Sequence, residues 1–171
     1  MKVVNLYGGP GTGKSTTAAA LFSLMKWRQH NVELIGEYAK EATWEHRYTI
    51  LEDQLYVTAK QNRKLSRIHQ QVDWAVTDSP LLLGLIYSKP DYLPNHYVSL
   101  VRELYATYDN VNIFLERKKP YQKVGRSQTE EEARTIDDCV RKLLDTLKEP
   151  YVVVSADENA HFKIYDMLIG K

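Results

Sequence analysis

The stretch Val3-Val4-Asn5-Leu6-Tyr7-Gly8-Gly9-Pro10-Gly11-Thr12-Gly13-Lys14-Ser15-Thr16 decides the fold. A short β-prone apolar run enters a glycine cluster. From Ser15 to His30 the composition then turns helix-forming around Ala19, Leu21, Phe22, Leu24 and Met25, so the order is strand, loop, helix. Gly8 to Ser15 satisfies the pattern G-x-x-x-x-G-K-[ST] without a gap. Glycines let the backbone curl so that successive N–H groups face a phosphate chain. Lys14 reaches the β- and γ-phosphates, and the Ser15 hydroxyl is suited to Mg²⁺. The residues expected to hold the phosphates of a nucleotide are therefore Gly8, Gly9, Pro10, Gly11, Thr12, Gly13, Lys14, Ser15 and Thr16.

Outward from this loop the same alternation continues. Val32–Ile35 reads as a second strand stopped near Gly36. From Leu51 to Val72, apolar or small residues at Leu51, Leu55, Ala59, Leu65, Ile68 and Val72 predict one long amphipathic helix. Asp73–Asp78 is a third strand ending on a carboxylate, and Pro80 is suited to open a helix at its first turn. The prolines at 90 and 94 mark a loop, and Tyr97–Tyr108 regains helical spacing. Val111–Leu115 is a fourth strand. A helix follows, opening at Thr129 with Glu132 as its capping-box partner and running through Ile136, Val140, Leu143, Leu144 and Leu147. Tyr151–Val154 is a fifth strand and Asp157–Ile169 a last helix. Apolar strands separated by helices predict an α/β fold with a mostly parallel sheet covered on both faces, in one domain over residues 1–171.

Composition agrees with this reading. The 171 residues are 43% hydrophobic and 26% charged, enough to bury a core, and the net charge of +1 argues against a protein devoted to coating phosphate backbone. The single cysteine, Cys139, excludes an internal disulfide and a cysteine-cluster zinc site. It falls within a helical pattern and is expected to be a buried small residue. No apolar run approaches the length that spans a bilayer, and the sequence enters its motif at once, so a soluble cytoplasmic protein without a leader is expected. Five histidines show no metal-ligand spacing. Twelve tyrosines against three phenylalanines leave many ring hydroxyls in need of partners.

Several residues are candidates for chemistry, each with a plainer alternative. Asp78, at the end of the third strand, is either a Mg²⁺ or water ligand beside Ser15 or a cap for the next helix. Glu37, just past the second strand, is either the carboxylate that receives a substrate hydroxyl proton or a structural acid. Arg117, Lys118, Lys119, Lys123 and Arg126 form either a lid over the nucleotide, with Arg126 after Gly125 reaching the phosphoryl oxygens, or a solvated turn. Arg134 points back to the same phosphates or pairs with a glutamate. Trp44, His46 and Tyr48 line an acceptor pocket or merely pack. Leu81, Leu82, Leu83 and Leu85 belong to the core or to a homodimer face.

Five elements together resemble small P-loop kinases related to the ribosylnicotinamide kinase domain of NadR-type bifunctional proteins, a group with AAA-like bacteriophage members. They are Gly8–Ser15, Glu37-Tyr38-Ala39-Lys40-Glu41, Asp78-Ser79, Gly125-Arg126-Ser127-Gln128-Thr129-Glu130-Glu131-Glu132-Ala133 and Pro150-Tyr151-Val152-Val153. The resemblance implies a three-layer P-loop kinase fold with a five-stranded parallel sheet in the order 2-3-1-4-5 and a lid over 117–130. It also implies ATP and Mg²⁺ as cofactors, Lys14, Glu37, Asp78 and Arg126 as catalytic residues, Ser15 and Asp78 at the metal, and adenine near Ser155–Asn159. The adenylyltransferase and DNA-binding domains of the bifunctional proteins have no counterpart in this sequence, so their activities are not expected.

The leading function is transfer of a phosphoryl group from ATP to a nucleoside, nucleotide or similar metabolite. A kinase acting on a polynucleotide end or a hydroxymethyl base of DNA is an alternative, and so is an ATPase switch.

Overall fold

The computed structural model describes residues 1–89, 91, 93, 96–118 and 129–170. β1 (Lys2–Tyr7) lies in the middle of a five-stranded sheet with β2 (Val32–Ile35), β3 (Trp74–Thr77), β4 (Asp109–Glu116) and β5 (Tyr151–Ser155), in the order β2-β3-β1-β4-β5. Every pairing is parallel: Val4 stands opposite Val76 on one side and Val111 on the other. The expected strand order is thus present, and every strand expectation is met to within two residues.

Parallel strands demand crossovers, and these put helices on both faces. β1 shows the consequence residue by residue. Val4 and Leu6 point to a core shared with Ala18, Leu21 and Met25 of α1 (Lys14–Trp27) and with Ala160 and Ile164 of α8 (Ala160–Ile169). Tyr7 faces the other way, with Phe114, toward α5 (Leu83–Tyr87), α6 (Tyr97–Ala106) and α7 (Glu130–Leu147). Val3, Ile35 and Ala75 meet Leu65 of α4 (Gln54–Ser66) in a third, smaller cluster. Each fully buried Leu, Val or Ile contributes about 1.5–3 kcal/mol through removal from water, so β1 anchors two helix layers at once.

The tyrosine excess has a structural use. Inside the helix layer, Tyr97 Oη donates to Gln54 O at 3.1 Å and lies 2.8 Å from Thr58 Oγ1, joining α6 to α4. Tyr105 Oη donates to Asn112 Oδ1 at 2.9 Å, and Asn112 in turn lies 3.2 Å from the Asn5 amide across the β1–β4 pair. Tyr108 Oη donates to Asn62 Oδ1 at 2.8 Å. These rings fill the core while their hydroxyls satisfy buried amides.

Three expectations need correction. The helix placed over 51–72 is shorter, and two helices precede it: α2 (Tyr38–Trp44) and α3 (Tyr48–Leu51). The inward positions of α4 are Gln54, Thr58, Gln61 and Leu65, while Leu55 is exposed. The apolar series misleads because Gln61 is spent on the backbone, accepting from Tyr38 N at 3.0 Å and donating to Gly36 O at 3.3 Å. Pro80 does not open a helix: it sits in a turn closed by Leu83 N to Pro80 O, and α5 starts at Leu83. Cys139 is exposed, because α7 turns Ala133, Val140 and Leu144 inward and leaves position 139 on the outer face. Leu81, Leu82 and Leu83, by contrast, follow the first of their two alternatives: they are core residues, 4%, 0% and 6% exposed.

Among the described residues no helix is long and apolar enough to cross a membrane.

Candidate active site

In a parallel sheet all carboxyl ends lie along one edge, so Gly8 after β1, Glu37 after β2, Asp78 after β3 and Arg117 after β4 emerge together. The loop after β1 is set by its glycines. Gly8, Gly11 and Gly13 have φ of 139°, 78° and 102°, a region costly for any residue with a Cβ. Thr12 is buried in the curl, its hydroxyl donating to Gly9 O at 3.0 Å. Gly13 stands at the N-cap of α1 and supplies no side-chain cap, and no acid lies in the first turn. The leading N–H groups of α1 and the positive end of its dipole are thereby left for an anion. Ser15 and Thr16 are exposed on that first turn. Lys14 Nζ donates to Gly8 O at 2.7 Å and Gly9 O at 3.0 Å, folded back onto the loop it would leave to meet a phosphate.

Three carboxylates surround this lysine electrostatically. Burial lowers the Lys14 pKa, and the charges of Glu37, Asp78 and Asp137 oppose that shift. Asp78 is 7% exposed, and its Oδ1 is buried with no hydrogen-bond partner. It does not cap α5, whose N-cap is Leu82. Glu37 occupies the N-cap position of α2 and makes no capping bond. Burial raises its pKa first of all; the Lys14 charge pulls it back down and Asp78 pushes it up. The structure therefore brings Lys14, Glu37 and Asp78 within mutual electrostatic reach.

A buried carboxylate oxygen without a donor costs about 1–3 kcal/mol or more, and a cation or its water is the chemistry that relieves it. Asp78 and the Ser15 hydroxyl fit Mg²⁺ in this sense. Among the described residues no group of three or more His, Cys, Asp or Glu is placed to hold a metal ion by itself.

Arg117, the first residue after β4, departs from expectation. It is not a solvated turn residue: its side chain is 5% exposed. Its guanidinium donates to Asp137 Oδ2 from Nε at 3.0 Å and to Pro10 O at 2.9 Å. Asp137, on α7, also accepts the Gly9 N–H. A Cβ on Gly9 would stand 2.4 Å from Ala133 O, so glycine is required there for α7 to approach. Sequence reading missed Asp137, and no local signal marks it, since 128 positions separate it from Gly9. Lys118 is exposed and pairs with Glu116 at 2.8 Å, and Arg134 pairs with Glu130 at 2.8 Å. Lys119, Lys123, Gly125 and Arg126, and with them most of the expected lid, lie outside the described residues.

On the β2 side, the rings of Tyr38 and Tyr56 meet edge to face at 6.0 Å, and Lys60 Nζ lies 5.2 Å from the Tyr56 ring. Tyr87 of α5 is close enough to Glu37 and Asp137 to feel their charges; burial and those charges push its phenol up to about 12. Trp44 and Tyr48 are 70% and 56% exposed and do not pack in the core. On the other side, Ala156 Cβ is the nearest atom to a Cβ built on Gly13, at 4.0 Å, so the loop after β5 borders the phosphate loop.

Known structures share this fold. A thymidylate kinase from Ehrlichia chaffeensis superposes with a TM-score of 0.65 over 98% of each chain at 14% identity. NadR protein, solved in complex with NR, superposes with a TM-score of 0.71 at 19% identity, over 96% of this chain and 51% of that one. The chain thus spans about half the length of NadR, and both likenesses speak to the fold, that of a P-loop kinase. No curated protein matches the sequence. A family model described as an AAA domain matches residues 3–160, and the chain belongs to that family.

Proposed function

We propose that this chain is a phosphotransferase that moves the γ-phosphoryl group of ATP to a hydroxyl of a nucleoside, nucleotide or similar small metabolite. The observation that carries the reading is the convergence at one sheet edge of an uncapped helix N-terminus, the Lys14 ammonium, the half-buried Glu37 and the unpartnered Asp78 oxygen. The folds of a thymidylate kinase and of NadR support it.

The α1 amides and Gly11–Gly13 cradle the β-phosphate, and Lys14 swings from the Gly8 and Gly9 carbonyls to the β- and γ-phosphates. Mg²⁺, when bound through Ser15 and Asp78, neutralises phosphate charge. Glu37 faces the acceptor. Its raised pKa suits a group that receives the hydroxyl proton as the acceptor oxygen bonds to phosphorus and the bond to the ADP oxygen breaks. Arg126 is assigned to the equatorial phosphoryl oxygens by resemblance alone. Most of the catalysis in such a site is positioning and electrostatic stabilisation.

A second reading, a polynucleotide acceptor, is favoured by one surface. From Gln54 to Val72 the chain holds Lys60, Arg63, Lys64 and Arg67 and no acid. Lys60, Arg63 and Arg67 are exposed, and exposed Trp44 and Tyr48 lie on neighbouring helices as potential base-stacking rings.

A transfer screen with labelled ATP across nucleosides, nucleoside monophosphates and oligonucleotides, run beside Lys14→Ala, tests both. Label on a small acceptor, reduced at least about 100-fold in Lys14→Ala, is expected. Label only on oligonucleotides, lost with rising salt, would select the second reading. Phosphate release without transfer to any acceptor would leave an ATPase, and absence of ATP binding by the intact chain would end both readings.

A further inference from the structure

We propose that Arg117 and Asp137 are positioning residues for the nucleotide site, a clasp that holds Gly9 and Pro10 in the curl phosphate binding requires. The proposal rests on the nucleotide-binding reading and adds to it two residues that do not touch the phosphates.

The outer limb of the loop, Gly8–Pro10, directs few of its polar groups toward a ligand. Gly9 N–H donates to Asp137 Oδ1. Pro10 has no N–H, and its carbonyl accepts from the Arg117 guanidinium at 2.9 Å. The other Asp137 oxygen accepts from Arg117 Nε at 3.0 Å, so one ion pair grips the backbone of two consecutive residues, Gly9 through its N–H and Pro10 through its carbonyl. Both side chains are largely shielded, 5% and 15% exposed, which gives the pair more weight than a surface bridge. Ala133 O closes the space behind Gly9 and blocks retreat toward α7.

The same limb of the loop holds Lys14, and the Gly8–Gly9 peptide unit takes part in both contacts. Its ammonium rests on the Gly8 and Gly9 carbonyls, and the Asp137 charge acts on it directly. Movement of Gly9 therefore shifts both the amide curl and the lysine. Gly8, Gly9, Gly11 and Gly13 leave the loop many other conformations, so an external restraint is what makes the competent one dominant. When only a fraction of molecules is competent, apparent affinity falls by that fraction while chemistry at saturation is untouched. A clasp of this kind should appear in ATP affinity and KM and leave kcat alone.

The test compares Asp137→Asn and Arg117→Lys with the unaltered chain, using titration of a fluorescent ATP analogue with Mg²⁺ and the KM and kcat for ATP. Asparagine can still accept from Gly9 but turns an amide donor toward the guanidinium. Lysine keeps the charge but cannot span both Asp137 and the Pro10 carbonyl. Each variant is expected to weaken ATP binding at least about tenfold with kcat at saturation within about threefold. The double variant Arg117→Lys/Asp137→Asn should be no weaker than the worse single one, because both act through one unit. Unchanged ATP affinity, with or without a lower melting temperature, would make the pair merely structural and overturn the proposal. A fall in kcat at unchanged KM would overturn it too. If Asp137→Asn fails to fold, Arg117→Lys decides alone. An unaltered chain that binds no ATP would instead sink the nucleotide reading and the clasp with it, an outcome recognisable before any variant is made.

Discussion

Glu37 shows most directly how function strains a residue in this protein. It stands where an N-cap would help α2 yet makes no capping bond, and its surroundings disfavour its charge. The sign of the effect is fixed by linkage. A carboxyl whose folded pKa is raised above its ordinary 4.5 holds its proton longer in the folded state than in the unfolded one. Below that ordinary value both states are protonated and nothing is lost. As pH climbs from there through the raised value, folding stability declines, and it then stays lower. Glu37→Gln should match the unaltered chain in thermal melts near pH 4 and exceed it in melting temperature at pH 8, while phosphoryl transfer drops at least about 100-fold. A variant less stable at pH 8 would mean that the Glu37 charge supports the fold and is not held there for chemistry. Glu37 and Asp78 were legible in the sequence because each follows an apolar strand, and parallel strand ends converge. Asp137 was not: its value depends on α7 lying across Gly9, a contact that no local pattern encodes.

At the scale of elements, legibility follows the strength of local signals. α7 announces itself through the Thr129–Glu132 capping box, and both reciprocal bonds are present: Thr129 N donates to Glu132 Oε2 at 2.7 Å and Glu132 N to Thr129 Oγ1 at 3.2 Å. The strands read clearly because each is a compact apolar run; β1 and β3 are buried on both faces, while in edge strand β5 Val152 and Val153 are exposed. α2 and α3, of seven and four residues, are too short for a period to show, and the inward face of α4 is mostly amide and hydroxyl. Thr129→Ala removes one half of the capping box from an exposed helix start. Its expected cost is about 1 kcal/mol, a fall of roughly 2–4 °C in melting temperature for a domain of this size. Ala133 O, which backs Gly9, lies only one turn further on. A Thr129→Ala variant that melts normally but weakens ATP binding would show that the first turn of α7 serves the phosphate loop more than the fold.

The whole molecule is organised around β1 and the loop it feeds. Val4 and Leu6 belong to the core under α1 and α8, Tyr7 to the core under α5, α6 and α7, and the loop is clasped to α7 through Asp137. A ligand seated on that loop touches the junction of both layers, so its binding energy should appear as global stability. The net charge of +1 conceals this centre, since Lys14 faces three carboxylates and Arg117 is neutralised by Asp137. A ligand that binds only the folded state at 100 times its Kd adds about 2.7 kcal/mol, which for a domain of this size raises the melting temperature by roughly 5–11 °C. ATP with Mg²⁺ at that excess should shift the unaltered chain by this amount in a single transition, because no element along the loop can melt without releasing the nucleotide. Lys14→Ala should show little shift at the same concentration. Two transitions, with only one moved by ATP, would mean that the two helix layers unfold separately and that β1 does not couple them.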